Sequence, residues 1–185
     1  MDPMGSLDNG ITEELATWLL AQPVFFVATA PLDSDGHVNC SPKGNRGEFA
    51  VIDEHSVAYL DQTGSGVETI AHLQENGRIT IMFCAFSGAP RIVRLQGAGS
   101  TVLRSDGQFA DLARHFPSSV GVGARAIIVA RLDRVADSCG YGVPLMRFDR
   151  HRPALDAWAN KKGKEGIALY QMLNNRLSID DLDGI

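Results

Sequence analysis

Short apolar runs, each stopped by turn-forming residues, constrain this chain more than any other feature. Phe25 to Ala30, Phe49 to Ile52 and Ser56 to Leu60 are too short for core helices and are rich in β-branched and aromatic residues. Asp33-Ser34-Asp35-Gly36 forms a turn after the first run, and His37 to Ser41 continues as the second strand of a hairpin. Pro42 interrupts that strand, so the following stretch is an edge or a bend. Asp53-Glu54-His55 turns the next pair. Ile79 to Ala85 and Arg91 to Gly97 are longer runs joined by Ser87-Gly88-Ala89-Pro90, and Ala126 to Ala136 is the last long strand. Six or seven strands joined mostly by hairpins predict an antiparallel barrel, not a doubly wound parallel sheet. No G-x-G-x-x-G fingerprint follows a strand.

Helices punctuate this pattern. Thr12 followed by Glu13 and Glu14 reads as a capped helix start, and Gln22-Pro23 ends that helix. Ser65 to Glu75 reads as a second helix closed by Asn76-Gly77. Asp106 to His115 reads as a third, behind a Ser105/Gln108 capping box. Pro153 to Leu173 reads as one or two helices packed on the barrel. The whole reads as one domain over residues 1–185: an N-terminal helix (1–23), a barrel core (24–136), and a loop and helical tail (137–185).

Composition narrows the function. The 185 residues carry a net charge of −5, which gives nucleic-acid binding no support from the chain as a whole. A polar N-terminus without a basic-then-apolar order, and no apolar run long enough to span a bilayer, lead us to expect a cytoplasmic protein. Cys40, Cys84 and Cys139 are widely spaced and read as reduced thiols. The histidines, at 37, 55, 72, 115 and 151, have no ligand spacing, so no metal is expected.

The stretch Tyr59-Leu60-Asp61-Gln62-Thr63-Gly64-Ser65-Gly66-Val67-Glu68-Thr69 runs from a strand through a glycine-rich turn into a helix. Free amides and the helix dipole suit a phosphate there, with hydroxyls from Ser65 and Thr69. The same residues also make a Ser65/Glu68 capping box that needs no ligand. Upstream, Asn39-Cys40-Ser41-Pro42-Lys43-Gly44 puts polar groups and one lysine at a strand end. Lys43 reads either as a phosphate partner or as a solvated lysine. Arg91 and Arg94 lie on one short strand segment facing opposite ways.

In this order, these pieces resemble the flavin-binding core of the pyridoxamine 5′-phosphate oxidase-like superfamily, over roughly residues 25–135. The resemblance implies a mainly β (α+β) split barrel, a homodimer with FMN at the subunit interface, and a small-molecule substrate. It matches Lys43 to a basic residue at the end of the second strand and Asp61 and Gln62 to residues that touch the flavin ring or ribityl chain. It matches Ser65 to the serine that opens the phosphate turn. Asn39, Ser41, Gly66, Thr69 and Arg94 complete the expected cofactor-binding set. The true oxidases follow that serine with Arg-Lys, whereas this chain has Gly66-Val67. That argues against pyridoxamine phosphate oxidation itself and leaves two alternatives: backbone amides, Thr69 and an arginine, Arg91 or Arg94 from the same or the partner subunit, replace the pair, or FMN binding is weak. The chain resembles a less-characterised branch that carries a Cys-Gly-Tyr-x-Val-Pro stretch, here Cys139 to Pro144. That stretch reads as a glycine-rich turn with an aromatic plug or as a loop at the pocket mouth. Trp158 reads as core packing or as a pocket cover.

The expected function is an FMN-dependent oxidoreductase with an unidentified small substrate. The alternatives are a non-catalytic flavin or haem binder, a deazaflavin-dependent reductase of the same fold, and a structural dimer with an empty pocket. A deazaflavin would call for an enlarged basic groove to hold its longer anionic tail.

Overall fold

Alternation places the main core on one face of the strands, and a second cluster, with Ala58, Leu60 and Ile127 against Phe109 and Phe116, lies on the other. In a computed structural model that describes residues 7–8 and 10–185, the chain forms, in order, β1 (Leu7–Asp8), α1 (Glu13–Ala21), β2 (Phe25–Thr29), β3 (Asn39–Lys43), β4 (Phe49–Asp53) and β5 (Ser56–Gln62). There follow α2 (Glu68–Glu75), β6 (Arg78–Cys84), β7 (Ile92–Leu103), α3 (Phe109–Ala113), β8 (Ala124–Ser138) and α4 (Ala154–Asn174). Most of the N-terminal segment read as carrying no signal sequence lies outside the described residues.

The sheet runs β3-β2-β6-β7-β8-β5-β4, antiparallel throughout, with β1 added beside β8. β3 and β4 are its edges, and they do not pair, so the sheet is not closed. It curls, because Phe25 on β2 meets Phe49 on β4 with ring centroids 5.2 Å apart, and Phe49 meets Phe83 on β6 at 5.0 Å. Tyr59 joins this cluster at 5.6 Å from Phe25. Each such aromatic pair adds about 0.5–1.5 kcal/mol beyond area burial. Val27, Ile81, Val93, Leu95 and Ile128 are completely buried on the same face.

α1 covers one end of this core with Leu15 and Leu19. Its start follows the expected chemistry, since the Thr12 hydroxyl accepts from the Leu15 amide at 3.1 Å. Gln22, before Pro23, is extended with ψ 134°. α2 also ends as expected. The Gly77 amide donates to Leu73 O at 3.1 Å with φ +71°, a left-handed cap that glycine adopts without strain.

Other boundaries moved. α2 starts at Glu68, not Ser65, and Val67 before it makes no side-chain cap, so the Ser65/Glu68 box does not form. The carbonyls of Gly64 and Gly66 instead accept from Asn175 and Arg125, which holds the segment as a loop. α3 spans only Phe109–Ala113, and its Gln108 makes no cap. The Asp106 carboxylate accepts from the Leu103 amide instead. β7 runs through Gly97, which the sequence presents as a strand end. The pairing with β8 shifts register between Gln96 and Gly97, and a Cβ on Gly97 would lie 2.0 Å from Arg131 O. The glycine therefore marks a bulge where two backbones touch, not a stop. α4 is two helical pieces joined at Gly163, with φ +65° and ψ 179°.

Candidate functional site

β3 turns Asn39, Ser41 and Lys43 to one half-buried face and leaves Cys40 and Pro42 exposed. This two-residue period aims three of the expected site residues the same way. Opposite them, near the end of β5, Asp61 is buried. The Arg125 Nε donates to Asp61 Oδ2 at 2.6 Å, and Lys43 Nζ to Asp61 Oδ1 at 3.3 Å. Burial alone would push the Asp61 carboxyl up. The two cations outweigh it, Arg125 the more strongly, and hold the carboxyl below its usual value. Arg125 also donates from Nη2 to Gly66 O at 2.8 Å, which ties the β8 start to the glycine turn.

Ser41 Oγ and Arg125 Nη1 are buried here without a hydrogen-bond partner. An unsatisfied buried donor costs about 1–3 kcal/mol. Such groups are uncommon in a native fold and call for an explanation.

Asn39 reaches the α2 start. Its Nδ2 donates to Thr69 Oγ1 at 3.0 Å and to Thr29 Oγ1 at 3.2 Å, and Thr29 Oγ1 lies 3.0 Å from His72 Nδ1. Asn39 thus holds Thr69 at the start of α2. Gln62 donates to Glu48 Oε1 at 2.7 Å, and Asn45 donates to the same oxygen at 3.0 Å. Burial pushes the Glu48 carboxyl up, against these two hydrogen bonds.

Ser65 is exposed at the apex of the turn, and the Glu68 carboxylate folds back over Gly66, where a Cβ would lie 2.3 Å from its Oε2. Arg94 is not brought to this group. It lies on the opposite face of β7 from Val93 and Leu95, and its Nη1 donates to Ser138 Oγ at 3.0 Å. Arg91 pairs with Asp137 and stacks 5.0 Å over Trp18. The nearby cation is instead Arg125, which the sequence reading passed over because it directly precedes an apolar strand. An arginine opening so apolar a run was the available signal.

The tail also reaches the turn. Asn175 Nδ2 donates to Gly64 O at 2.9 Å and Gln171 Nε2 to Thr63 Oγ1 at 2.7 Å. Trp158 stacks edge-on against Tyr170 at 4.9 Å, within the tail itself. Tyr141 is exposed and plugs nothing.

A match to the family described as "Pyridoxamine 5'-phosphate oxidase" spans residues 11–139. The pyridoxamine 5′-phosphate oxidase family protein ustO of Aspergillus flavus is 41% identical over 191 residues, covering 96% of this chain and 76% of that protein. Among solved structures, HupZ of Group A Streptococcus has a TM-score of 0.54 at 21% identity, over 68% of this chain and 91% of that one. The last likeness bears on the fold alone. The match over 11–139 and the 41% identity across nearly the whole chain bear on descent, and by both the chain belongs to the pyridoxamine 5′-phosphate oxidase family.

Proposed function

We propose that this protein binds FMN at the glycine turn and acts as a flavin-dependent oxidoreductase on a small organic molecule. The observation that carries this reading is the convergence of Lys43 and Arg125 on buried Asp61, directly beside Gly66. Lys43 and Arg125 carry two positive charges against Asp61, and with the Glu68 carboxylate swung off Gly66 one positive charge remains next to the turn. That offsets part of what Gly66-Val67 lacks relative to Arg-Lys. The unsatisfied Ser41 and Arg125 donors fit a polar, anionic guest better than a dry core.

When bound, the flavin supplies two-electron redox chemistry. The chain's own work is to hold and orient it. Lys43, Arg125 and the turn amides hold the phosphate, and Ser41, Asp61 and Gln62 face the polar part of the ring and its side chain. The core aromatics keep water from one side. The Glu68 carboxylate over Gly66 must swing out to admit a phosphate, which weakens FMN binding.

The proposal includes a homodimer with the cofactor between subunits, as the family resemblance implies. Phe26, Met82 and Arg94 form one row across β2, β6 and β7 on the face turned from the core, and support a partner there. Light scattering at micromolar concentration that gives a monomer mass removes the dimer.

Equilibrium dialysis against FMN and riboflavin tests the site. FMN should bind more tightly. Equal affinity removes the phosphate site, and no binding of either removes the flavin reading.

A further inference from the structure

The chain is acidic, yet its cations are unevenly placed. A cleft of about 1570 Å³ opens between the ends of β2 and β3, the turn after β3, and the loop that follows β8. Five of the chain's 17 Lys and Arg line it, Lys43, Arg46, Arg147, Arg150 and Arg152, against one of its 22 Asp and Glu, Asp149. Asp149 lies 3.6 Å from Arg150, while Arg46, Arg147 and Arg152 have no ion pair among the described residues. Focused charge of one sign in a cleft raises the local concentration of the opposite sign.

The same cleft is apolar underneath. Phe25, Phe49, Phe83 and Phe86 line it, and Leu20, Leu145, Met146 and Phe148 at its rim are each more than half exposed. Clustered exposed apolar groups mark a surface that something covers. The loop carrying three of them is anchored, because the Met146 amide donates to Phe86 O at 2.8 Å.

We infer that this cleft is a binding site for an organic anion with an apolar or aromatic body and a carboxylate or phosphate directed to Arg147, Arg150 and Arg152. It would be the substrate site of the flavin reading proposed above, on which that role rests, since Lys43 belongs both to the cleft and to the Asp61 group. Five cations against one carboxylate favour a small anion over a second copy of the chain meeting this same patch across a two-fold axis, which would bring like charges together. The phosphate of the flavin cofactor has the same chemistry as the ligand inferred here, and competition with FMN separates the two.

The test uses flavin-free full-length protein and two fluorescent probes, 8-anilinonaphthalene-1-sulfonate and the uncharged N-phenyl-1-naphthylamine. It compares wild type with the triple variant Arg147→Gln, Arg150→Gln, Arg152→Gln, whose exposed side chains leave the core untouched. The sulfonate should bind wild type and weaken about tenfold or more in the variant and in moderate salt. The neutral probe should stay within about twofold. Equal sulfonate binding by the variant overturns the inference, as does an equal loss of the neutral probe. Saturating FMN that displaces the sulfonate one for one also overturns it, by assigning the cleft to the cofactor. Because both probes report without flavin, the cleft assignment stands or falls separately from FMN binding.

Discussion

The Lys43 ammonium lies 3.3 Å from the Asp61 carboxylate across a gap that no backbone hydrogen bond spans. Lys43 ends the edge strand β3, whereas Asp61 lies on β5, next to the opposite edge strand β4. The sheet thus meets itself through side chains where its strands stay apart, and the gap holds charge rather than a ladder. Arg125, on the strand next to β5, completes the group from the other side.

Asp61→Asn should therefore destabilise the fold. It leaves Arg125 buried and Lys43 half-buried against a neutral amide, and breaking such a group costs about 3–5 kcal/mol. Because the folded carboxyl titrates below its usual value, its contribution is present above the unfolded pKa of about 3.9 and lost as pH falls through the folded one. Urea unfolding of both proteins at neutral pH and near pH 3 checks this. The difference between them should shrink in acid.

Ser41→Ala should separate stability from binding. Its hydroxyl is buried without a partner, so removing it should leave the flavin-free protein as stable or slightly more stable, by up to about 1 kcal/mol. FMN affinity should fall several-fold. A thermal melt and a flavin fluorescence titration read the two effects.

Glu68→Gln should act in the opposite sense. Its carboxylate folds over Gly66, where it repels a phosphate. Neutralising it should tighten FMN by a few-fold and leave riboflavin unchanged, since only FMN brings the like charge. Paired titrations of the two flavins decide it.

The C-terminal segment should loosen as pH rises. His37 Nδ1 lies 2.6 Å from Asp180 Oδ1. That hydrogen bond and its charge raise the His37 pKa, while the Asp180 pKa is lowered. The docking contribution is fully present below the unfolded histidine pKa of about 6.5 and disappears as pH rises through the folded value. Amide exchange of the last ten or so residues, followed from about pH 6 to pH 9, should accelerate beyond its intrinsic rise. His37→Asn should abolish the excess.

Gly97→Ala should cost about 2–4 kcal/mol. A methyl there would meet Arg131 O at 2.0 Å, and backbone cannot swing aside as a side chain can. A denaturation midpoint unchanged from wild type would show that the bulge tolerates a side chain.

The strand set was legible because apolar runs and turn residues agree locally. Phe25 to Ala30 and Ser56 to Leu60 need no partner to declare their state. The extent of β7 and β8 was not legible, because glycine at position 97 breaks strands by propensity, and only the Arg131 backbone shows why it is there. The site divides in the same way. Asn39, Ser41 and Lys43 share a face by strand period alone. Arg125 and Asn175 reach the turn from 59 and 111 residues away, and no local pattern encodes such contacts. The Ser65/Glu68 box failed for the same reason, since the tail satisfies the turn that the box would have organised.

Leaving β3 unpaired on one side exposes backbone groups to any other extended chain. Pro42 changes what that rim can offer. It pairs with Phe26 on the inner side yet has no amide hydrogen to present to a newcomer. With the Lys43 charge beside it, the rim is a poor template for adding strands. The split can stay open for a small molecule while resisting the uncontrolled strand addition that leads from folded protein to fibre.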